Sequence, residues 1–129
     1  MLEQYSEEAR RLLQTDNDLL APDVIRIETA NALLKKVRTR ELNSAEAREA
    51  IEALPRYLSL SPTFDVYEGA LEVAFAFRCT FFDALYVALA LQEGCPLVTG
   101  DLRLVRALGR PLADHVIQLA DLPDLTVDV

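Results

Sequence analysis

Two aspartates stand near opposite ends of a mostly apolar stretch, residues 80–101, and their placement is the first indication of chemistry. Asp83 falls in the first turn of a predicted apolar helix, and Asp101 lies just beyond the carboxyl end of a short apolar strand predicted at 96–99. In open α/β sheets, ligands bind outside the carboxyl ends of the strands. Asp101 therefore stands where a site is expected, and Asp83 could face the same place.

A third acidic residue, Glu28, lies in the first turns of another helix that follows a predicted strand. Three carboxylates brought to one edge of a sheet repel one another and raise each other's pKa, unless a cation neutralises them. Mg²⁺ and Mn²⁺ prefer carboxylate and water oxygens as ligands. Such an ion orients a water and stabilises charge on a phosphodiester oxygen, so the cluster predicts metal-assisted hydrolysis.

Helix capping is the competing interpretation of the same residues. Thr80 and Asp83 have the spacing of a capping box, and Asp101 is a good N-cap for a helix that begins at residue 102. Glu28 could simply complement its helix dipole, which is worth about 0.3 to 1 kcal/mol. Asn31, one turn after Glu28, could orient a carboxylate or bond locally. Position and pattern leave both interpretations open, for these residues and for Thr99.

Phosphate groups would need cations, and the chain offers few of them. The net charge is −8 and the pI is about 4.6, which argues against broad, nonspecific binding of nucleic acid. A run of basic residues on the helix that carries Glu28 is more typical of a solvated face. The basic candidates for a local phosphate site are Lys35, Lys36, Arg38, Arg40, Arg103 and Arg106.

Other kinds of chemistry find no support in the residue pattern. His115 is the only histidine, and no serine or cysteine partner is in view. Cys79 and Cys95 lack metal-ligand spacing and are expected to be small buried hydrophobic residues. No stretch approaches the roughly 20 apolar residues of a membrane span, and residues 1–10 are polar and acidic, unlike a signal peptide. The cytoplasm is therefore the expected location.

Helices and strands alternate along the chain, which predicts a parallel sheet covered on both faces. With 51% hydrophobic and 26% charged residues, the composition is that of a globular protein, and 129 residues predict a single domain over 1–129 with a loosely held acidic tail at about 121–129. Pro55 is expected to end the third helix. Helices are predicted at 3–14, 24–40, 44–54, 65–77, 80–93 and 102–108, and strands at 18–21, 57–61, 96–99 and 115–119.

Three segments together resemble a known family. They are ETAN at 28–31, FDALYVALA at 82–90 and LVTGDLRL at 97–104. Their order and spacing resemble the PIN domain, and in particular the VapC-type ribonuclease toxins of prokaryotic toxin–antitoxin pairs. The resemblance covers nearly the whole chain, and the middle segment is the most specific.

The resemblance implies an α/β fold: a PIN-like three-layer α/β/α sandwich with a parallel sheet. It also implies that Glu28, Asp83 and Asp101 are catalytic residues that bind the metal, with Asn31 and Thr99 as supporting neighbours that shape the site. Members of this family are Mg²⁺- or Mn²⁺-dependent endoribonucleases. They are usually homodimers, and a cognate antitoxin protein inhibits them by occupying or covering the site.

One departure from the family concerns the start of the chain. The family opens with a central strand that carries a further Asp, and no residue here maps onto it; residues 1–10 resemble the helix that follows that strand. Asp16 and Asp18 come after that helix. A chain that starts at Met1 is expected to lack the middle strand and one ligand, which weakens metal binding and leaves strand edges unpaired.

Two functions therefore compete. The first is a metal-dependent endoribonuclease that serves as the toxin of a toxin–antitoxin pair. The alternative is a shortened, non-catalytic PIN-like module that dimerises or binds an antitoxin but cuts nothing.

Overall fold

The structure is a computed structural model that describes residues 19–118. The helix predicted at 3–14 and the acidic tail lie outside the described residues. The described residues fall into two compact units, an N-terminal unit of 19–63 and a C-terminal unit of 64–118. The expectation that 1–129 forms a single domain stays a prediction.

The N-terminal unit contains two short parallel strands and two helices. Strand β1 (Leu20–Pro22) is followed by helix α1 (Ile25–Arg38), helix α2 (Ser44–Tyr57) and strand β2 (Ser59–Ser61). β1 pairs with β2 in parallel, with Leu20 opposite Ser59. The two helices pack against each other and form the connection that parallel strands require.

Helix α2 begins where the sequence predicts and ends later. Its N-cap Asn43 accepts a hydrogen bond from the amide of Glu46, and the Glu46 carboxylate accepts one from the amide of Asn43, which completes a capping box. The prediction that Pro55 ends the helix is wrong. Proline lacks the amide that would continue the hydrogen-bond ladder, but the amide of Leu58 still donates to the carbonyl of Leu54, so one further turn forms.

The C-terminal unit contains three helices and a second pair of parallel strands. A 3₁₀ turn at Thr63–Val66 leads into it, and Leu97 of its first strand lies opposite Val116 of its second. In chain order its elements are helix α3 (Tyr67–Ala76), helix α4 (Phe81–Glu93), strand β3 (Leu97–Thr99), helix α5 (Leu102–Leu108), a 3₁₀ helix (Arg110–His115) and strand β4 (Val116–Gln118).

Helix α4 forms the core of this unit. It packs against α3, and Leu85, with 2% of its surface exposed, is among the most deeply buried side chains. The helix ends at Gly94, whose φ of 64° lies in the left-handed region that glycine adopts without strain. The prediction of a buried helix is therefore confirmed. The buried residues of α4 are Ala84, Leu85, Val87, Ala88, Leu89 and Ala90.

Among the described residues, no single helix is long and apolar enough to cross a membrane. The segments Thr63–Ala76 and Phe81–Glu93 reach that length only as a pair, across a bend of 115°. A buried core helix such as α4 accounts for this apolar character.

The α/β class with parallel strands is confirmed, and most boundaries agree with the predicted ones within a few residues. The short helix predicted at 102–108 is found at Leu102–Leu108, ended by Gly109. The sequence predicted His115 to begin the last strand, but in the structure His115 is the last residue of the 3₁₀ helix. Cys79 and Cys95 are half-buried thiols and not fully buried ones.

Candidate active site

Asp83 and Asp101 line one pocket of the C-terminal unit, with a volume of about 610 Å³. One wall is the continuous segment 74–80, which runs from the end of α3 to the N-cap of α4, and the other wall is the start of α5. Two basic side chains, Arg78 and Arg103, line the same pocket. The volume lies in the range of about 300–1,000 Å³ that is typical of ligand sites.

Asp83 is positioned by the start of α4. Thr80 is the N-cap of this helix, and its hydroxyl accepts a hydrogen bond of 3.1 Å from the amide of Asp83. Partial burial raises the pKa of the Asp83 carboxyl above its ordinary value, and the negative charge of Asp101 raises it further. The Thr80 hydroxyl and the Arg103 guanidinium act in the opposite direction. Asp83 is therefore a carboxylate that would gain from a nearby cation.

Asp101 is positioned by the turn between β3 and α5. Its Oδ1 accepts hydrogen bonds from the amides of Arg103 (2.9 Å) and Leu104 (3.4 Å), which makes it the N-cap of α5. Its own amide donates to the hydroxyl of Thr99 at 3.0 Å. Arg103 Nε lies 3.8 Å from the same Oδ1. Every contact found for this carboxylate among the described residues uses Oδ1, so Oδ2 remains available to a ligand.

Helix capping and a shared pocket thus coexist at these positions. Thr80 and Asp101 are N-caps, as the competing interpretation predicted, yet Asp83 and Asp101 also share a pocket and repel each other. The hydroxyl of Thr99 accepts a hydrogen bond from the backbone amide of Asp101, and its part in shaping a site stays a prediction. The caps explain why these side chains are held in place, and the shared pocket shows where they are held.

The donor set of this pocket fits a divalent ion such as Mg²⁺. Mg²⁺ keeps several water ligands and is usually bound through one or two carboxylates together with substrate phosphates. Asp83 and Asp101 supply two carboxylates that repel each other, which is the condition that a cation relieves. Within residues 64–118, no group of three or more His, Cys, Asp and Glu side chains is placed to hold a metal ion.

The other predicted site residues belong to the N-terminal unit. Glu28 is a half-buried acidic residue in the first turn of α1, and Asn31 is exposed one turn later. Their part in the site stays a prediction. The basic residues Lys35, Lys36 and Arg38 occupy the last turn of α1, where positive charge complements the negative end of the helix dipole.

Two pocket residues were missed from the sequence. Phe75 lies in a helix that the sequence predicted, but its position in that helix gave no sign of a functional role. Arg78 follows the end of α3 in a segment without a regular pattern. The only sequence signal for Arg78 is its position five residues before Asp83. Only the fold shows that these two residues lie in the same pocket as Asp101, because the start of α5 forms the wall opposite their segment.

Comparison with known proteins agrees with these observations. The PIN domain family matches residues 3–109. Ribonuclease VapC1 of Mycobacterium tuberculosis (strain H37Rv) is 40% identical over 95 residues, which cover 70% of this chain and 68% of that protein. Ribonuclease VapC3 of Pyrobaculum aerophilum is 33% identical over 105 residues, 79% of this chain and 80% of that protein.

Ribonuclease VapC9 of Mycobacterium tuberculosis (strain H37Rv) is 32% identical over 98 residues, 75% of each chain. No solved structure matches the chain significantly. The family match spans most of the sequence and includes both pocket aspartates, Asp83 and Asp101. From the match and from these relatives, the chain belongs to the PIN domain family.

Proposed function

We propose that this protein is a metal-dependent endoribonuclease that hydrolyses RNA phosphodiester bonds in the cytoplasm as the toxin of a toxin–antitoxin pair. The observation that carries the proposal is the pocket shared by Asp83 and Asp101, in a chain that is 40% identical to a protein named ribonuclease VapC1. A cognate antitoxin protein is the expected partner, and a homodimer is the expected assembly.

Asp83 and Asp101 would hold Mg²⁺ or Mn²⁺ at this pocket. When bound, the ion would supply an activated water for attack on phosphorus and would stabilise negative charge on the phosphate. Oδ2 of Asp101 is available for this purpose while Oδ1 keeps the N-cap of α5. Glu28, with Asn31 near it on α1, is proposed as a further acidic residue of the site because of the ETAN segment.

The arginines of the pocket would bind the RNA backbone. Arg103 extends from α5 with 87% of its side chain exposed, and its Nε lies 3.8 Å from Asp101 Oδ1. A guanidinium so close to the carboxylates can contact a phosphate oxygen while the acidic groups hold the cation. In this proposal the acidic side chains of the pocket bind the metal ion, and its arginines bind the phosphate groups of the substrate.

The test is RNA cleavage by the chain with Mg²⁺ or Mn²⁺, with a chelator, and with Asp83→Asn. We expect cleavage that needs the metal and falls at least about 100-fold in Asp83→Asn, since even indirect partners of metal ligands change activity 10- to 100-fold. Asp83→Asn should fold normally, because it removes a carboxylate whose pKa is raised by burial and by Asp101.

Asp65→Asn is the matched control, since Asp65 is an exposed acidic residue of the same unit outside this pocket. Metal-independent cleavage, or equal activity of both variants, would contradict the proposed mechanism. No cleavage by folded, metal-supplied protein would leave the non-catalytic binding module as the better description.

A further inference from the structure

The pocket that holds Asp83 and Asp101 also contains an aromatic side chain that the proposed hydrolysis does not use. Phe75, in the last turn of α3, lines this pocket and is 85% exposed. On the same helix, Ala70 and Val73 are buried against α4. The exposed ring therefore lacks the stabilisation that burial of a phenylalanine side chain provides. Its exposed ring provides a face on which another planar ring can stack.

The surroundings of Phe75 favour a nucleic acid as the molecule that covers it. Arg78 is exposed, follows Phe75 by three residues and lines the same pocket, as does Arg103. The whole chain carries a net charge of −8, so general electrostatic attraction cannot bring RNA to this surface. Local contacts have to supply the affinity, and base stacking works without a favourable net charge.

We propose that Phe75 stacks on an unpaired base of the RNA and that Arg78 binds the phosphate next to it. This inference rests on the proposed RNA cleavage and adds to it how the substrate is selected. A base inside a duplex already has neighbours on both faces, whereas a base in a single strand or loop is free to stack on an aromatic side chain. Stacking accepts every base, so this subsite selects unpaired structure and not sequence.

A protein partner is the competing occupant of an exposed phenylalanine. The chain offers a matched control in Phe64, which is 82% exposed, belongs to the same unit and lies outside this pocket. Its ring contacts Tyr67 with centroids 6.0 Å apart. Phe75→Leu and Phe64→Leu remove equally exposed rings, so a difference between them in RNA binding reports on the pocket.

The experiment measures binding of a short labelled single-stranded RNA by fluorescence anisotropy, with a chelator present, beside a duplex of the same sequence. We expect Phe75→Leu to weaken binding of the single strand about 5-fold or more. Phe75→Tyr should bind like the unaltered protein, since it keeps an aromatic ring. Phe64→Leu should leave the single-strand affinity unchanged, and none of these variants should change binding of the duplex.

The salt dependence separates the two contacts. Arg78→Ala should reduce the slope of log K against log salt by about 0.7, the value for one lost phosphate contact on a single strand. Phe75→Leu should reduce affinity without changing that slope. Arg110→Ala is the control, because Arg110 is exposed but does not line the pocket.

Three results would overturn the inference. Equal RNA affinity of Phe75→Leu and Phe64→Leu, in a protein that still cleaves RNA, would remove the stacking role and leave the proposed function standing. A loss of self-association in Phe75→Leu, measured by sedimentation with RNA binding unchanged, would make Phe75 a protein contact. An unaltered protein that neither binds nor cleaves RNA would overturn both proposals.

Discussion

At the scale of single residues, Asp101 combines two contributions that depend on different properties of its side chain. As N-cap of α5, it needs an oxygen that accepts the amides of Arg103 and Leu104. As a proposed metal ligand, it needs the negative charge. Asparagine keeps the first property and loses the second, so one substitution can separate them.

We therefore expect Asp101→Asn to lose cleavage at least about 100-fold while its free energy of unfolding changes by less than about 0.5 kcal/mol. Asp101→Ala should lose cleavage equally and also about 1 kcal/mol of stability, because it leaves the first amides of α5 without their acceptor. Urea unfolding and metal-supported RNA cleavage would be measured on both variants. Full activity of Asp101→Asn would show that the residue is a cap and nothing more.

At the scale of elements, a small hydrogen-bond network joins the turns after β1 and β2 within the N-terminal unit. The hydroxyl of Thr63 accepts from the amide of Val24 at 3.0 Å and donates to the carboxylate of Asp23, which also accepts from the amide of Thr63. Val24 is the N-cap residue of α1 and makes no side-chain cap. The network therefore satisfies the backbone amide of the N-cap residue from outside the helix.

Thr63→Val keeps the shape of the side chain and removes both hydroxyl bonds. We expect it to lower the free energy of unfolding by about 1–2 kcal/mol, because the partly buried amide of Val24 loses its partner. Thr63→Ser should restore most of the stability. Thr39→Val, at the other end of α1, is the control, since its hydroxyl bonds are exposed and their loss should cost less than about 0.5 kcal/mol. Equal effects of the two valine variants in urea unfolding would refute this account.

At the scale of the whole molecule, binding of a metal ion to the folded protein should raise its free energy of unfolding. A stability measurement can therefore detect the proposed metal site. An ion that binds only the folded protein, at ten times its Kd, adds about 1.4 kcal/mol to the free energy of unfolding. For a chain of 129 residues that corresponds to an increase in Tm of roughly 5 °C. The increase should depend on the site carboxylates and not on the net charge of −8.

Thermal unfolding with and without Mn²⁺ tests this expectation. Glu28→Gln, Asp83→Asn and Asp101→Asn should each reduce the Mn²⁺-dependent increase in Tm, whereas Glu52→Gln, an exposed acidic residue of α2, should leave it unchanged. All four variants remove one negative charge, so general screening predicts the same response for all. A normal increase in Glu28→Gln would remove Glu28 from the proposed site.

The sequence by itself determined the elements whose ends depend on local chemistry. Thr80, Asp101 and Asn43 cap their helices through bonds to residues two or three positions away, and Gly94 ends α4 because of its own backbone freedom. Such interactions are complete within one turn, so a pattern of residues is enough to predict them. The limits of pattern reasoning show at Pro55, where the hydrogen bond from the amide of Leu58 to the carbonyl of Leu54 continues the helix past a residue that was expected to end it.

Only the tertiary structure decided which side chains share the pocket. Asp83 and Asp101 are 18 positions apart, and their repulsion exists only because β3 returns the chain to the start of α4. Phe75 and Arg78 lie near Asp83 along the chain, and the same return of the chain brings Asp101 into the pocket that they line. A pocket is formed by residues distant in the sequence, and the free energy that brings them together comes from burying apolar side chains such as Leu85 and Leu108 elsewhere in the unit.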